Sequence, residues 1–136
     1  MAKTTGLGWT TFSVDDAGGS PRDIRSCTTN LDFSMPRAVQ DVTGLDKSAI
    51  ERLLLLADFS GTANGVFDPG SNLAHAVFRT VPSTSVNRTM SIEHSSQTLA
   101  NEVLLTDYQL TRAATGELTW AVPFALADGT VPTWGP

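Results

Sequence analysis

A single cysteine, two histidines and a single tyrosine leave this chain of 136 residues short of the side chains that most chemistry relies on. Cys27 alone makes no intramolecular disulfide, and a chain of this length buries about two-thirds of its unfolded surface without a covalent staple. No run of about 18 apolar residues is present, and no charged, apolar and small-residue start marks a signal peptide, so no membrane partner is expected. Basic residues are also scarce, 9 lysines and arginines against 14 aspartates and glutamates. The formal charge of −5 argues against tight binding to a phosphate backbone, which needs a basic surface. Together these features predict a single domain over residues 1–136, made in a reducing cytoplasm.

The catalytic inventory is equally thin. His75 and His94 stand in no metal-spaced cluster with cysteine or each other. His75 is expected partly buried or at an interface, and His94 solvated beside a turn. Cys27 reads as an inert thiol in a strand, having no evident base to activate it. The many serines include no Gly-x-Ser-x-Gly elbow. Thr5-Gly6-Leu7-Gly8 and Asp16-Ala17-Gly18-Gly19 lack the spacing, and the lysine or helix, of a phosphate-binding loop. Asp15-Asp16 is the only candidate for a hard cation and reads as a solvated turn. No catalytic residue, cofactor or metal site is expected, and the chain does not read as an enzyme.

What is present is β-structure. In Leu104–Phe124, Tyr108, Leu110 and Arg112 alternate with Asp107, Gln109 and Thr111. After Ala113–Glu117 the alternation resumes as Leu118, Trp120, Val122 and Phe124 against Thr119, Ala121 and Pro123. Period two on both sides of a short Gly-containing connection is a β-hairpin. Closing it with Arg112 opposite Leu118 sets Leu110 against Trp120 and Tyr108 against Val122, so an apolar face packs on a core. The face with Gln109, Thr111 and Thr119 looks at water or a partner. Leu99, Val103 and Leu105 lie on odd positions but Tyr108 and Leu110 on even ones, which requires a bend or bulge near Thr106-Asp107.

Earlier in the chain, Met1–Gly8 reads as a flexible N-terminal arm and Trp9–Val14 as a first strand, broken by the turn formers of Asp15–Pro21. A polar second strand is expected over Asp23–Asn30. Leu31, Phe33 and Met35 alternate up to Pro36, and Arg37–Val42 offers a further strand. Thr43, three residues before Asp46, resembles a helix N-cap, so one helical turn ending near Arg52 is expected, followed by a strand to about Phe67. Helix and strand both remain open for residues 50–57, where apolar residues fit either period. Asn64-Gly65 marks a tight turn or a bulge. Leu73–Thr80, with Ser71 as N-cap, is the best helix in the sequence, Val86–Glu93 is a strand ending in a turn at Ser95-Ser96, and residues 125–136 form a C-terminal arm. Trp120 is assigned to the core. Trp134 either folds back on its own domain or anchors in a neighbour.

Several stretches in combination resemble the tail tube proteins, or major tail proteins, of long-tailed bacteriophages, in particular those of actinobacterial phages. They are Asp41-Val42-Thr43-Gly44-Leu45-Asp46-Lys47-Ser48-Ala49-Ile50-Glu51-Arg52-Leu53, then Gly65–Asp68 with Ala74–Phe78, then Tyr108–Ala113 with Gly116–Trp120, and the ending Leu126–Trp134. The resemblance spans Asp41 to Trp134. It implies a mainly β, tail-tube-type sandwich or barrel with one short flanking α-helix and long assembly loops. It also implies hexameric rings stacked into a tube in the virion, made in the host cytoplasm, with no catalysis. Expected partners are further copies of the chain, the tape-measure, tail-tip and terminator proteins, and DNA in transient, non-specific passage. Asp107, Gln109, Thr111, Glu117 and Thr119 are then candidate lumen-facing residues, and Trp9, Asp15, Asp16, Arg22 and Trp134 candidate inter-subunit or inter-ring contacts. Two other readings fit the same composition: a head-decoration or tail-terminator protein, and a small β-sandwich ligand-binding module that uses Trp120 and Trp134.

Overall fold

Alternation dominates the computed structural model, which describes residues 3–136 and is mainly β. Ten strands, β1 (Thr11–Asp15), β2 (Pro21–Asp23), β3 (Thr28–Ser34), β4 (Arg37–Asp41), β5 (Arg52–Ala57), β6 (Ser60–Val66), β7 (Arg88–His94), β8 (Gln97–Leu105), β9 (Gln109–Arg112) and β10 (Leu118–Leu126), accompany one short helix, α1 (Ala74–Phe78). The strands of the larger, antiparallel sheet run in the order β2-β1-β7-β8-β10-β6-β3, with β9 beside β10. Strands β4 and β5 form a separate pair.

The two ends of that path, β2 and β3, are consecutive in the chain. Only Ile24 and a 3-10 turn, Arg25–Cys27, separate them, a reach of about 15 Å at full extension. An open sheet whose first and last strands are so tied must curl, and the result is barrel-like. Ile24 N donates to the Phe12 carbonyl at 2.9 Å, and the Arg25 guanidinium donates to the carbonyls of Trp9 and Thr10 at 2.9 and 2.7 Å, fastening the seam. The polar second strand expected over Asp23–Asn30 is thus replaced in its first half by the 3-10 turn. Ile24 and Cys27, three residues apart, fall on one side of that turn and are both fully buried. Cys27, expected in a strand, sits buried in that turn.

The concave side holds the core. Phe12 and Val14, Met90 and Ile92, Leu99 and Val103, and Trp120, Val122 and Phe124 supply its alternating positions, and Ala74, Val77 and Phe78 of α1 close over them. Phe78 lies 5.0 Å from Trp120 between ring centroids, while the indole N–H of Trp120 donates to the Val66 carbonyl at 2.8 Å. Arg88 takes a core position and is buried. It donates to the Val77 carbonyl at 2.6 Å and the Thr80 hydroxyl at 3.0 Å, which pins the C-terminal end of α1 to β7. Burial lowers its pKa, against the pull of Asp16 and Asp15.

The hairpin closes in the expected register, with Arg112 opposite Leu118 and Leu110 opposite Trp120. The expected break in phase is there too. Strand β8 pairs with the C-terminal part of β10 and β9 with its N-terminal part, and Thr106–Tyr108 lies between them. Pro123 accounts for the gap. Its carbonyl accepts from Thr106 N at 3.2 Å, so its ring nitrogen faces the same neighbour and has no proton to offer. Asn64-Gly65 lies inside β6, opposite a register slip that leaves Thr29 of β3 as the extra residue.

Two helix expectations need correction. Residues 43–51 form a loop, because the Thr43 hydroxyl bridges the ends of the β4–β5 pair and so caps nothing. Helix α1 does not use Ser71: Leu73 is its N-cap residue, without a side-chain cap, and the Asp68 carbonyl takes the His75 N–H at 3.3 Å. Nor is His94 solvated. Its ring stacks on Trp9 at 4.7 Å, and Nε2 lies 2.7 Å from the Thr5 carbonyl.

Candidate assembly surface

Strands β3 and β6 pair along their length, with Ser34 opposite Ser60, and the chain continues from them into β4 and back from β5. The four strands are one long ribbon interrupted at its middle. Pro36 removes a backbone donor on one side, and on the other Phe59 turns into the core, fully buried, between Phe33 at 6.1 Å and Phe124 at 5.5 Å. Below this joint the ribbon belongs to the curled sheet, and above it the ribbon stands alone.

The free half is well formed. Its tip is closed by Val42 N donating to the Glu51 carbonyl at 2.9 Å, by Glu51 N donating to the Thr43 hydroxyl at 2.8 Å, and by that hydroxyl donating to Asp41 at 2.6 Å. The Thr43 hydroxyl, together with its amide, holds the Asp41 carboxyl below the ordinary aspartate range. At the base, Asp58 N donates to the Pro36 carbonyl at 3.0 Å and Arg37 Nε to the Leu55 carbonyl at 3.0 Å.

Despite that order, the hairpin is not covered. Leu53, Leu54, Leu55 and Leu56 are 56, 58, 41 and 89% exposed, and Val39 is 51% exposed. Val42, Leu45 and Ile50 of the tip loop are exposed as well, so the apolar residues of the hairpin stand largely uncovered by their own chain. The apolar residues over 50–57, for which the sequence leaves helix and strand both open, form a strand in Arg52–Ala57 that belongs to no core of this chain. The signal that could have marked them was in the sequence: apolar residues on both parities of one short strand.

The fold as a whole has solved counterparts. The chain superposes on a chain of the tail of an empty gene transfer agent (GTA) particle, computed with helical refinement and C6 symmetry. The TM-score is 0.73 and the identity 16%, over 98% of this chain and 100% of that one. A chain of the virion of the native GTA particle gives a TM-score of 0.75 and 15% identity, with the same coverage. The chain has the fold of a GTA tail subunit. No protein-family model matches it, and no curated protein does.

On this tail fold the residues singled out in the sequence fall into separate places. Thr111 and Thr119 are directly opposed, and Gln109 lies opposite Ala121, making an exposed polar face on β9 and β10. Glu117 lies in the turn beyond, where the Thr115 hydroxyl donates to it and lowers its pKa. Asp107 stands apart, at a cleft of about 280 Å³ lined also by His75, Arg79, Tyr108 and Leu110. His75 Nδ1 is 3.1 Å from the Tyr108 hydroxyl, whose pKa burial raises. The outer half of the hairpin's apolar face is not covered as expected, since Leu110 and Leu118 are 43 and 36% exposed.

The candidate contact residues are also dispersed. Asp16 accepts from Ser20 N and Gly18 N, each at 3.0 Å, and pairs with Arg22 at 3.1 Å, so both side chains organise the β1–β2 turn. Asp15 ends β1. Trp9 is half-buried against His94, beside a cleft of about 400 Å³ that Phe12, Arg25 and Leu31 also line. Trp134 lies 6.3 Å from Phe33 and is 43% exposed, while Gly135 pairs with Thr98. Of the arm expected over residues 1–8, residues 1 and 2 lie outside those described. Among the described residues no group of three or more His, Cys, Asp or Glu could hold a metal, and no helix is long and apolar enough to cross a membrane.

Proposed function

We propose that this chain is a tail tube subunit that assembles with copies of itself into hexameric rings, stacked into the tail of a phage-like virion as a conduit for DNA. One observation carries the reading: a chain with the tail fold along almost its whole length leaves an ordered apolar hairpin, β4–β5, with nothing of its own to cover it. A ribbon of this kind is stable in water only when another surface buries it. The role is structural, without catalysis, cofactor or metal.

In this reading the polar face of Gln109, Thr111 and Thr119 lines the lumen with uncharged side chains, and Asp107 and Glu117 add negative charge at its margins. Like charge keeps a phosphate backbone moving through the channel. Trp9, Asp15, Asp16, Arg22 and Trp134 lie at contacts between subunits or rings. Heterologous contacts that close within a ring and repeat between rings set no length by themselves, so tape-measure, tail-tip and terminator proteins are the partners required. Negative-stain electron microscopy of the purified protein at rising concentration tests the proposal. Hollow rings with sixfold views, stacking into tubes, are expected. Monomers at every concentration, even with tail tips and tape-measure protein added, would overturn it.

A further inference from the structure

The root of the β4–β5 hairpin is thinly held by its own strands. Ser34 lies opposite Ser60 on the sheet side of it and Arg37 opposite Ala57 on the hairpin side, and between these pairs one backbone bond crosses, from Asp58 N to the Pro36 carbonyl at 3.0 Å. The reciprocal bond is missing because Pro36 has no N–H. A ribbon joined to its sheet by so little is free to swing unless something else holds the joint. The C-terminal segment touches this root at both of its ends. At its start, Leu126 N donates to the Phe59 carbonyl and Ala127 N to the Glu102 carbonyl of β8, at 2.8 and 2.9 Å. The chain then leaves the sheet. Residues 128–134 make no backbone bond to it, Gly129 takes a φ of 78°, and Val131 is exposed. It returns at Gly135, which exchanges two bonds of 2.8 Å with Thr98 near the start of β8. That anchor sets the Trp134 ring 6.3 Å from Phe33, which in turn lies 6.1 Å from Phe59. Strand β8 is itself fixed by pairing with β7 over residues 97–103. The segment is thus a tie from a well-paired wall to the two aromatic residues at the root.

We infer that the C-terminal segment is a clasp, and that Trp134 is the positioning residue that holds the β4–β5 hairpin at one angle to the sheet. Trp134 acts through Phe33 and Phe59, a run of tilted ring contacts that ends in the core at Phe124, 5.5 Å from Phe59. Aromatic pairs at these separations favour particular mutual orientations, so a swing of the hairpin that carries Phe59 with it disturbs its contacts on both sides. Trp134 is 43% exposed and lies outside the buried core. Its contact with Phe33 therefore bears on the angle of the joint more than on the stability of the sheet. The inference concerns the single chain and goes beyond the tail tube reading, in which the angle of the hairpin decides where its leucines meet other copies.

Double electron–electron resonance between two nitroxide labels tests this in dilute, unassembled protein. The labels are carried by Gln40→Cys on β4 and Ser91→Cys on β7, while Cys27, fully buried, is shielded from the reagent. The otherwise unchanged chain should give one narrow distance distribution. W134A, and a chain ending at Thr133, should each widen it roughly twofold. A control pair within the sheet, Ser91→Cys with Thr111→Cys, should keep its width in the same backgrounds. W134F keeps a ring against Phe33 and should match the unchanged chain. An unaltered width between positions 40 and 91 in both W134A and the shortened chain would overturn the clasp. So would equal widening of the control pair, which would mark a general loosening of the sheet, or a W134F distribution as wide as that of W134A. None of these readings needs a tube. Failure of the protein to form rings would remove the tail tube reading and leave the clasp standing, and a hairpin indifferent to Trp134 would remove the clasp and leave the tail tube reading as it was.

Discussion

A methyl group at position 65 has no room. Gly65 lies on β6 beneath the core tryptophan, and an added Cβ would meet the Cys27 carbonyl and come within 2.7 Å of the Trp120 indole Cε2. The first contact is backbone, so relief requires the strands to part. Gly65→Ala should lose about 3 kcal/mol or more, read by urea unfolding. Gly6→Ala, with nothing within 4 Å, should stay within about 0.5 kcal/mol of wild type. Asn64-Gly65 was legible as a special position, but its reason was not, because the bulge it faces lies on β3, more than thirty positions away. Asp16 shows the same limit. Its sequence marks a turn, and only the fold brings Ser20 N, Gly18 N and Arg22 onto one carboxylate. The Ser20 amide above all lowers its pKa from the ordinary 3.8. A folded pKa below the unfolded one gives stability that is present above the ordinary value and lost as pH falls through the lowered one. Asp16→Asn should therefore flatten the decline of stability below about pH 4, checked by urea titrations across that range. Equal slopes for variant and wild type would contradict this.

Among the elements, those with strict period two were readable: Leu31-Phe33 in β3, Met90-Ile92 in β7, and the β9–β10 register. The Arg52–Ala57 strand was readable only as apolar. A local pattern says that leucines will be buried, not in which chain, so in the proposed assembly a strand covered by neighbouring copies reads like a core strand. The expected helical turn after Thr43 failed for a related reason. Leu45 and Ile50 have no surface of their own chain to pack on, and a one-turn helix without packing does not persist. Because the core and the residues packed against it include none between Phe33 and Phe59, the hairpin should be separable from the fold. Replacing Arg37–Ala57 by Asn-Gly between Pro36 and Asp58 should leave the thermal midpoint within about 4 °C of wild type, a shift worth about 1 kcal/mol or less. The same deletion should abolish assembly. A large fall in the midpoint would mean that the hairpin contributes to folding of the isolated chain.

For the whole molecule, composition foretold the class and the curl of the sheet its closure. The single 3-10 turn between β2 and β3 commits both ends of the sheet to one another, so this is the joint on which the barrel-like shape depends. At that scale charge and apolar contact oppose each other. In the proposed tube every subunit carries a formal −5, so stacking copies would accumulate repulsion, while the exposed leucines of β5 would supply attraction that salt does not screen. Raising ionic strength from 0.01 to 0.15 M shortens the screening length from about 30 to about 8 Å. The critical concentration for assembly should then fall several-fold. Cooling should raise it, because burial of apolar surface weakens at low temperature. Sedimentation of assembled protein across salt and temperature measures both. Assembly held mainly by ion pairs between subunits would respond to salt in the opposite direction, so a critical concentration that rises with salt would place the driving force on charged contacts and away from the β4–β5 leucines.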